Sequence, residues 1–200
     1  MIAKDQLLEF AIAKFTKLGC KRFTLDDLAY DIGISKKTIY HHFSNKEAVV
    51  SESVLFLLEK IKAEIYLSIE KEKNDPILCI ISIYRIGLNY LKTFSPTFLY
   101  GLEKYYPSIN LEIINFRTSF INNLTLRFLK EAQAKNEIRN NINLELTLEL
   151  YCNRIDLILF KSKNIFSEYA TPELLEHLII NNLRGIATES YLKKNTLLLP

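Results

Sequence analysis

The sequence has no tryptophan, one methionine, three histidines, three cysteines, and only 5 glycines and 5 prolines in 200 residues. So few turn-formers argue against a turn-rich all-β protein. They also leave nothing to build a phosphate cradle, since neither GxGxxG nor GxxxxGK[ST] occurs. Metal chemistry is short of ligands, because His41 and His42 are neighbours that diverge by about 100° on a helix and no third ligand lies near them. Cys20, Cys79 and Cys152 lie far apart and are odd in number, so they read as reduced, small buried hydrophobes of a cytoplasmic protein. The longest stretch without Asp, Glu, Lys or Arg is ten residues, 93–102, whereas a membrane helix needs about twenty. Lys4, Asp5 and Glu9 interrupt the first apolar stretch, which is not the pattern of a signal peptide. No paired-carboxylate, Ser-His-Asp or Cys-His arrangement is recognisable in the spacing, so the sequence predicts no enzyme, no cofactor, no metal and no membrane partner.

What is present is apolar residue content of 48% with 24% charge, a globular composition ample for a core. The net charge is only +3. Residues 1–46 hold eight basic and five acidic side chains, and residues 47–200 hold eighteen of each, so the whole excess sits in the first quarter.

Hydrophobic periodicity predicts helix throughout, an all-α fold. Leu8, Ala11, Ile12, Phe15 and Leu18 share a face of a first helix that Gly19 ends. Thr24, with Asp27 three residues on, predicts a capping box opening a short second helix, which Gly33 breaks. Ser35 opens a third, residues 36–42, and Ser44 with Glu47 predicts a second capping box before a long fourth helix reaching about residue 73. Further helices are expected near 76–92, 96–104, 108–136, 144–163 and 172–194, several of them started by proline. The expected division is a small helical domain over residues 1–46 and a larger helical domain over residues 47–200.

Residues 24–43 have the layout of a helix-turn-helix, with a tight turn at Gly33-Ile34. If Ile39 and Phe43 face inward, Lys37 and His41 point most directly outward, flanked by Thr38 and Tyr40, with Lys36 and His42 at the edges. That face offers ammonium, imidazole, hydroxyl and phenol groups and no carboxylate, which is the chemistry of a major-groove reader. Backbone N–H groups at Thr24 and at 44–46 are placed to meet phosphates.

The stretch FTLDDLAYDIGISKKTIYHHFSNKEA, residues 23–48, closely resembles the N-terminal signature of the TetR family of transcriptional regulators. Thr24, Ala29, Ile34, Ser35, Thr38, Ile39, Tyr40, His42, Phe43, Asn45, Lys46 and Glu47 fall on that family's pattern. Val49 stands where Leu is usual, and Asp31 where many relatives carry a small or neutral residue. The resemblance implies a homodimer of about nine helices per chain that binds a pseudo-palindromic operator in double-stranded DNA, in most cases a repressor released by a small molecule. It assigns DNA binding to residues 1–46, and ligand binding and dimerisation to residues 47–200. It implies base contacts by Lys36, Lys37, Thr38 and His41, and phosphate contacts by Thr24, Ser35, Tyr40 and Lys46, with His42 and Phe43 structural. Some relatives of this fold instead contact a protein partner through the C-terminal domain, and that reading stays open here.

The C-terminal part is rich in aromatic residues, for which core packing is the simplest use. Tyr84, Phe98, Phe116 and Phe120 are the candidates for lining an apolar cavity, which favours an apolar or aromatic effector. Arg85, Asn89, Arg117, Asn153 and Asp156 are polar groups set into apolar stretches, open between ligand contact and surface roles. Leu174, Leu178 and Gly185, with Leu175, Ile179, Asn182 and Ile186 beside them, predict a dimer face that two subunits would combine into a four-helix bundle.

Overall fold

A computed structural model describes the backbone of residues 2–160 and 165–194, and the side chains of those residues except 155–160. The described residues form helices α1 (Lys4–Leu18), α2 (Leu25–Ile32), α3 (Lys36–His42), α4 (Lys46–Glu72), α5 (Pro76–Leu91), α6 (Pro96–Tyr105), α7 (Pro107–Asn115), α8 (Asn123–Ala134), α9 (Leu144–Phe160), α10 (Thr171–Leu175), α11 (Asn181–Ile186) and α12 (Glu189–Lys194). They contain no strand ladder, and their one β-type pairing is an isolated bridge between Ile138 and Ala187. The chain packs as two compact units, residues 1–62 with 93–116, and residues 63–92 with 117–200.

In the first unit, α1 buries Leu7, Leu8, Ala11, Ile12 and Phe15, the stripe expected of an amphipathic helix. Phe15 meets Phe23 edge-on at 6.0 Å between ring centroids. Helix α6 lies against the end of α1: the Ser95 N–H donates to the Thr16 carbonyl at 2.8 Å. Gly19 serves both the turn and this approach. Its φ is +87°, and a Cβ there would lie 3.2 Å from the Thr97 carbonyl oxygen.

The second unit is organised on α5, started by Pro76 and capped by Asp75, whose carboxylate accepts from the Leu78 N–H at 2.9 Å. Ile77, Cys79, Ile80, Ile83, Tyr84 and Leu88 are buried along it, and α8 and α10 pack on it. Each fully buried Ile contributes about 1.5–3 kcal/mol.

Three sequence expectations are corrected. Helix 108–136 forms, but residues Phe116–Asn122 within it wind as a π-helix. Helix 172–194 is not continuous: a second π segment spans Glu176–Ile180, and the helix stops at Ala187, which is extended at φ −67°, ψ 157°. There the Arg139 N–H donates to the Ile186 carbonyl at 3.0 Å and the Thr188 N–H to the Glu137 carbonyl at 2.8 Å. Thr188 then caps α12 by accepting from the Tyr191 N–H. The expected dimer face is divided as well. Leu174, Leu175 and Ile179 are buried within their own chain, against α5, whereas Leu178, Asn182 and Ile186 are half-buried and Gly185 is exposed. The expected end of α9 at 163 lies outside the described residues.

Candidate nucleic-acid interface

The two helices of the helix-turn-helix are set by local hydrogen bonds. Thr24 Oγ1 accepts from the Asp27 N–H at 3.1 Å, and the Asp27 carboxylate takes both the Thr24 N–H, at 2.8 Å, and the Thr24 hydroxyl, at 2.7 Å. The capping box is therefore closed, and these bonds hold the Asp27 carboxyl below the usual carboxylate range. Both Thr24 donors are engaged, so a phosphate at Thr24 must draw the hydroxyl away from Asp27. At the other end Gly33 adopts the left-handed conformation, φ +72°, and its N–H and that of Ile34 close the last turn of α2. Ser35 caps α3 by accepting from the Thr38 N–H at 3.2 Å, and the two hydroxyls bond to each other at 2.9 Å.

Helix α3 is held by Ile39 and Phe43, at 0% and 3% exposure. Lys36, Lys37, Tyr40 and His41 are exposed and Thr38 is half-buried, so the donors named from the sequence share one outward surface. His42 turns inward. It lies edge-on to His41 and tilted against Phe43, and its Nε2 is buried without a hydrogen-bond partner among the described residues. Lys36 is not a free cation: its ammonium bonds to the Asp26 carboxylate of α2 at 2.8 Å, and that bond raises its pKa. Asp31 pairs with Lys14 at 2.6 Å, which neutralises the carboxylate beside the motif.

Helix α4 begins differently from the expected capping box. Asn45, not Ser44, is the cap, accepting from the Ala48 N–H at 2.9 Å. Asn caps as well as Ser, whereas the spacing to Glu47 points to Ser44 alone. Lys46 is half-buried and donates to the Lys21 carbonyl at 3.1 Å, and partial burial lowers its pKa. Beside it, burial pushes the Cys20 thiol up to about 12, which keeps it protonated and inert. Sequence reasoning missed Asp26 as the partner of Lys36. The sign was available, a carboxylate in the first turn of α2 ten residues before a lysine, but only the fold brings the two together.

The aromatic candidates divide between the units. In the first, Phe98 is fully buried and edge-on to Phe94 at 5.3 Å, and Phe116 is half-buried where the π segment begins. In the second, Tyr84 is buried and Phe120 is half-buried, edge-on to Tyr66 at 5.5 Å. The Tyr84 and Tyr151 hydroxyls are buried with no hydrogen-bond partner among the described residues. Thr125 lies beside Tyr84: its hydroxyl gives its own proton to the Ile121 carbonyl, and its oxygen is the side-chain hydrogen-bonding group next to the phenol. Burial pushes the Tyr151 phenol up to about 12 and Tyr84 higher still. Arg85, Asn89 and Asn153 are exposed, and the Asp156 side chain lies outside the described residues. No group of three or more His, Cys, Asp or Glu able to hold a metal occurs among the described residues, and no single described helix is long and apolar enough to cross a membrane.

Residues 7–52 match the sequence model of the bacterial regulatory proteins of the tetR family. The chain is 25% identical over 160 residues, 78% of its length and 80% of the relative's, to the biofilm operon icaADBC HTH-type negative transcriptional regulator IcaR of Staphylococcus aureus. Its fold is similar to that of the TetR family transcriptional regulator PfmR from Thermus thermophilus, with a TM-score of 0.67, 21% identity, and coverage of 90% of this chain and 97% of that one. It is equally similar to the transcriptional regulator FadR from Bacillus subtilis in complex with stearoyl-CoA, with a TM-score of 0.67, 17% identity, and coverage of 90% and 98%. The motif, the described fold and the relatives agree: residues 7–52 form a helix-turn-helix domain of the tetR type, and the chain as a whole is similar to helix-turn-helix transcriptional regulators of that family.

Proposed function

We propose that this chain is a homodimeric repressor that binds a pseudo-palindromic operator and is released by a small apolar or aromatic effector. The observation that carries the DNA part is the outward surface of α3, where Lys37, Tyr40 and His41 are exposed over a buried Ile39 and Phe43. In this reading Lys36, Lys37, Thr38 and His41 read base edges, and Thr24, Ser35, Tyr40 and Lys46 hold phosphates. Two α3 helices, one from each subunit, enter successive major grooves about 34 Å apart or at a longer in-phase spacing. Repression is supported by the relative IcaR, named as a negative regulator.

The effector part rests on the second unit. Tyr84 and Tyr151 each leave a buried hydroxyl without a partner among the described residues, and a ligand acceptor would satisfy them. Phe120 is the further aromatic candidate in that unit, Phe98 and Phe116 belonging to the first, and an apolar effector is consistent with FadR, whose structure holds stearoyl-CoA. Effector binding shifts the population away from the DNA-competent spacing by its differential affinity for the two states. The half-buried Leu178, Asn182 and Ile186, with exposed Gly185, are what remains of the dimer face.

The test is selection of genomic fragments by the purified full chain at about 0.15 M salt, where non-specific binding is weak. A single enriched pseudo-palindrome is the expected result. Scattered sites, or none, overturn the operator reading and favour a protein partner for the C-terminal part.

A further inference from the structure

Next to the helix-turn-helix, the first unit carries a second group of cations that the DNA reading above does not use. Lys21, in the turn after α1, places its ammonium 3.8 Å from the ring centroid of Tyr105, at the end of α6. Lys104 lies 5.6 Å from the same centroid and donates to the Tyr100 hydroxyl at 2.8 Å. Lys21, Lys104, Tyr100 and Tyr105 are all exposed. Among the described residues neither ammonium is paired with a carboxylate. Two like charges share one ring, within a Debye length of each other, and Lys46 adds a third by donating to the Lys21 carbonyl. The acidic neighbours are Asp27, turned onto Thr24, Glu47, beside Tyr106, and Glu103, exposed on α6.

Such an arrangement is repulsive by itself and is relieved by an anion. The aromatic ring takes one side of each ammonium and leaves N–H donors over. The Tyr100 hydroxyl, having accepted from Lys104, keeps its own proton to donate. The position selects the anion. Lys21 is three residues from Thr24, so their Cα atoms lie at most about 11 Å apart. A DNA strand places one phosphate per 3.4 Å of helix axis. A strand held at Thr24 and Lys46 therefore brings the next few phosphates within reach of Lys21 and Lys104.

We propose that Lys21, Lys104, Tyr100 and Tyr105 form a phosphate-holding shoulder that extends the DNA contact beyond the helix-turn-helix onto α6. It rests on the reading of this chain as an operator-binding protein. It adds contacts without sequence preference, so it raises affinity and not discrimination.

The experiment measures the affinity of the full chain for its selected genomic fragment by fluorescence anisotropy between 0.05 and 0.3 M salt. The variants are the double substitution Lys21→Gln/Lys104→Gln and, as a control with the same charge change, Lys71→Gln/Lys73→Gln in the second unit. Losing two phosphate contacts flattens the slope of log K against log salt by nearly 2, and weakens binding on the order of 10- to 30-fold at 0.15 M. The control is expected to leave the slope unchanged. The exposed single variant Lys104→Gln, read in the same way, should flatten it by about 0.9 and guards against misfolding of the double one. A slope equal to wild type in both shoulder variants, or an equal change in the control, overturns the shoulder and leaves the operator reading standing. A wild-type chain that selects no fragment overturns both.

Discussion

The ammonium of Lys36 bonds to the Asp26 carboxylate at 2.8 Å, joining the first turn of α2 to the first turn of α3. The lysine proposed to read bases is thus held by an acid on the supporting helix. The pair orients Lys36 and also withholds its charge from DNA. Substituting Asp26→Asn should release it and raise affinity several-fold for operator, more than for random DNA, with a salt slope steeper by up to about 0.9. Titrations of both DNAs at two salt concentrations decide this. An unchanged slope would show that Lys36 stays off the DNA.

Lys37 and Lys46 are expected to fail in different ways. Lys37 is exposed on the outward face of α3, so Lys37→Ala should cost about 1–3 kcal/mol on operator and relax preference at one base position. Lys46 also serves the fold, through its bond to the Lys21 carbonyl. Lys46→Ala should weaken binding to all sequences, flatten the salt slope by about 0.9, and lower the melting temperature as well. Competition of operator against random DNA separates the two. Undiminished discrimination in Lys37→Ala would remove it from base reading.

The capping box at Thr24 gives a pH signature. Asp27 is held below its ordinary value of 3.8, first by the Thr24 N–H and then by the Thr24 hydroxyl. A carboxyl with a lowered folded-state pKa stabilises fully above the unfolded value, and loses that contribution as pH falls through the folded one. The gap in melting temperature between wild type and Asp27→Asn should therefore be constant from pH 7 to about 5 and close below 3.8. Thermal melts across that range measure it. A gap that persists at pH 2 would mean the carboxylate charge is not what closes the cap.

The first four helices were legible because their signals are local. Thr24, Gly33 and Ser35 each act on backbone groups within a few residues, and Ile39 and Phe43 follow one helical period. The start of α4 shows where local signals stop, since Ser44 and Asn45 are both good caps side by side and the structure uses Asn45. The break at Ala187 was not legible because its cause is distant: Thr188 and Ile186 bond to the 137–139 segment, about fifty residues earlier in the chain. The same holds for Leu174 and Leu175, whose apolar face fits a dimer interface equally well until α5 is seen to cover it.

Gly185 bears on the dimer. Among the described residues, nothing beyond its own helix and chain neighbours lies within 4 Å of where a Cβ would sit, and it is exposed in α11. Facing solvent, Gly185→Ala should raise stability by about 0.5–1 kcal/mol through helix propensity. Facing a second subunit closely, it should instead weaken dimerisation. Sedimentation across a concentration series, with melting curves at each, is expected to show the weakened dimer. A more stable chain with unchanged association would move the dimer face elsewhere.

Tyr84 and Tyr151 supply the last prediction. Each phenol is 5% exposed, and its hydroxyl has no hydrogen-bond partner among the described residues. A buried hydroxyl left unpaired costs about 1–3 kcal/mol, so deleting it removes a penalty from the effector-free protein. Tyr84→Phe is a loss of one atom and should be neutral or raise the melting temperature by a few degrees, about 2–4 °C per kcal/mol for a chain of this size. Most substitutions at buried positions destabilise, which makes the sign informative. The same variant should respond less to an effector that supplies an acceptor there, because that bond is then lost. Melting curves of Tyr84→Phe and Tyr151→Phe, without ligand and with a panel of apolar carboxylates and ketones, read both effects. A drop in stability of more than about 1 kcal/mol in the ligand-free variants would show the hydroxyls to be satisfied within the chain. The two phenols would then be core residues and not an effector site.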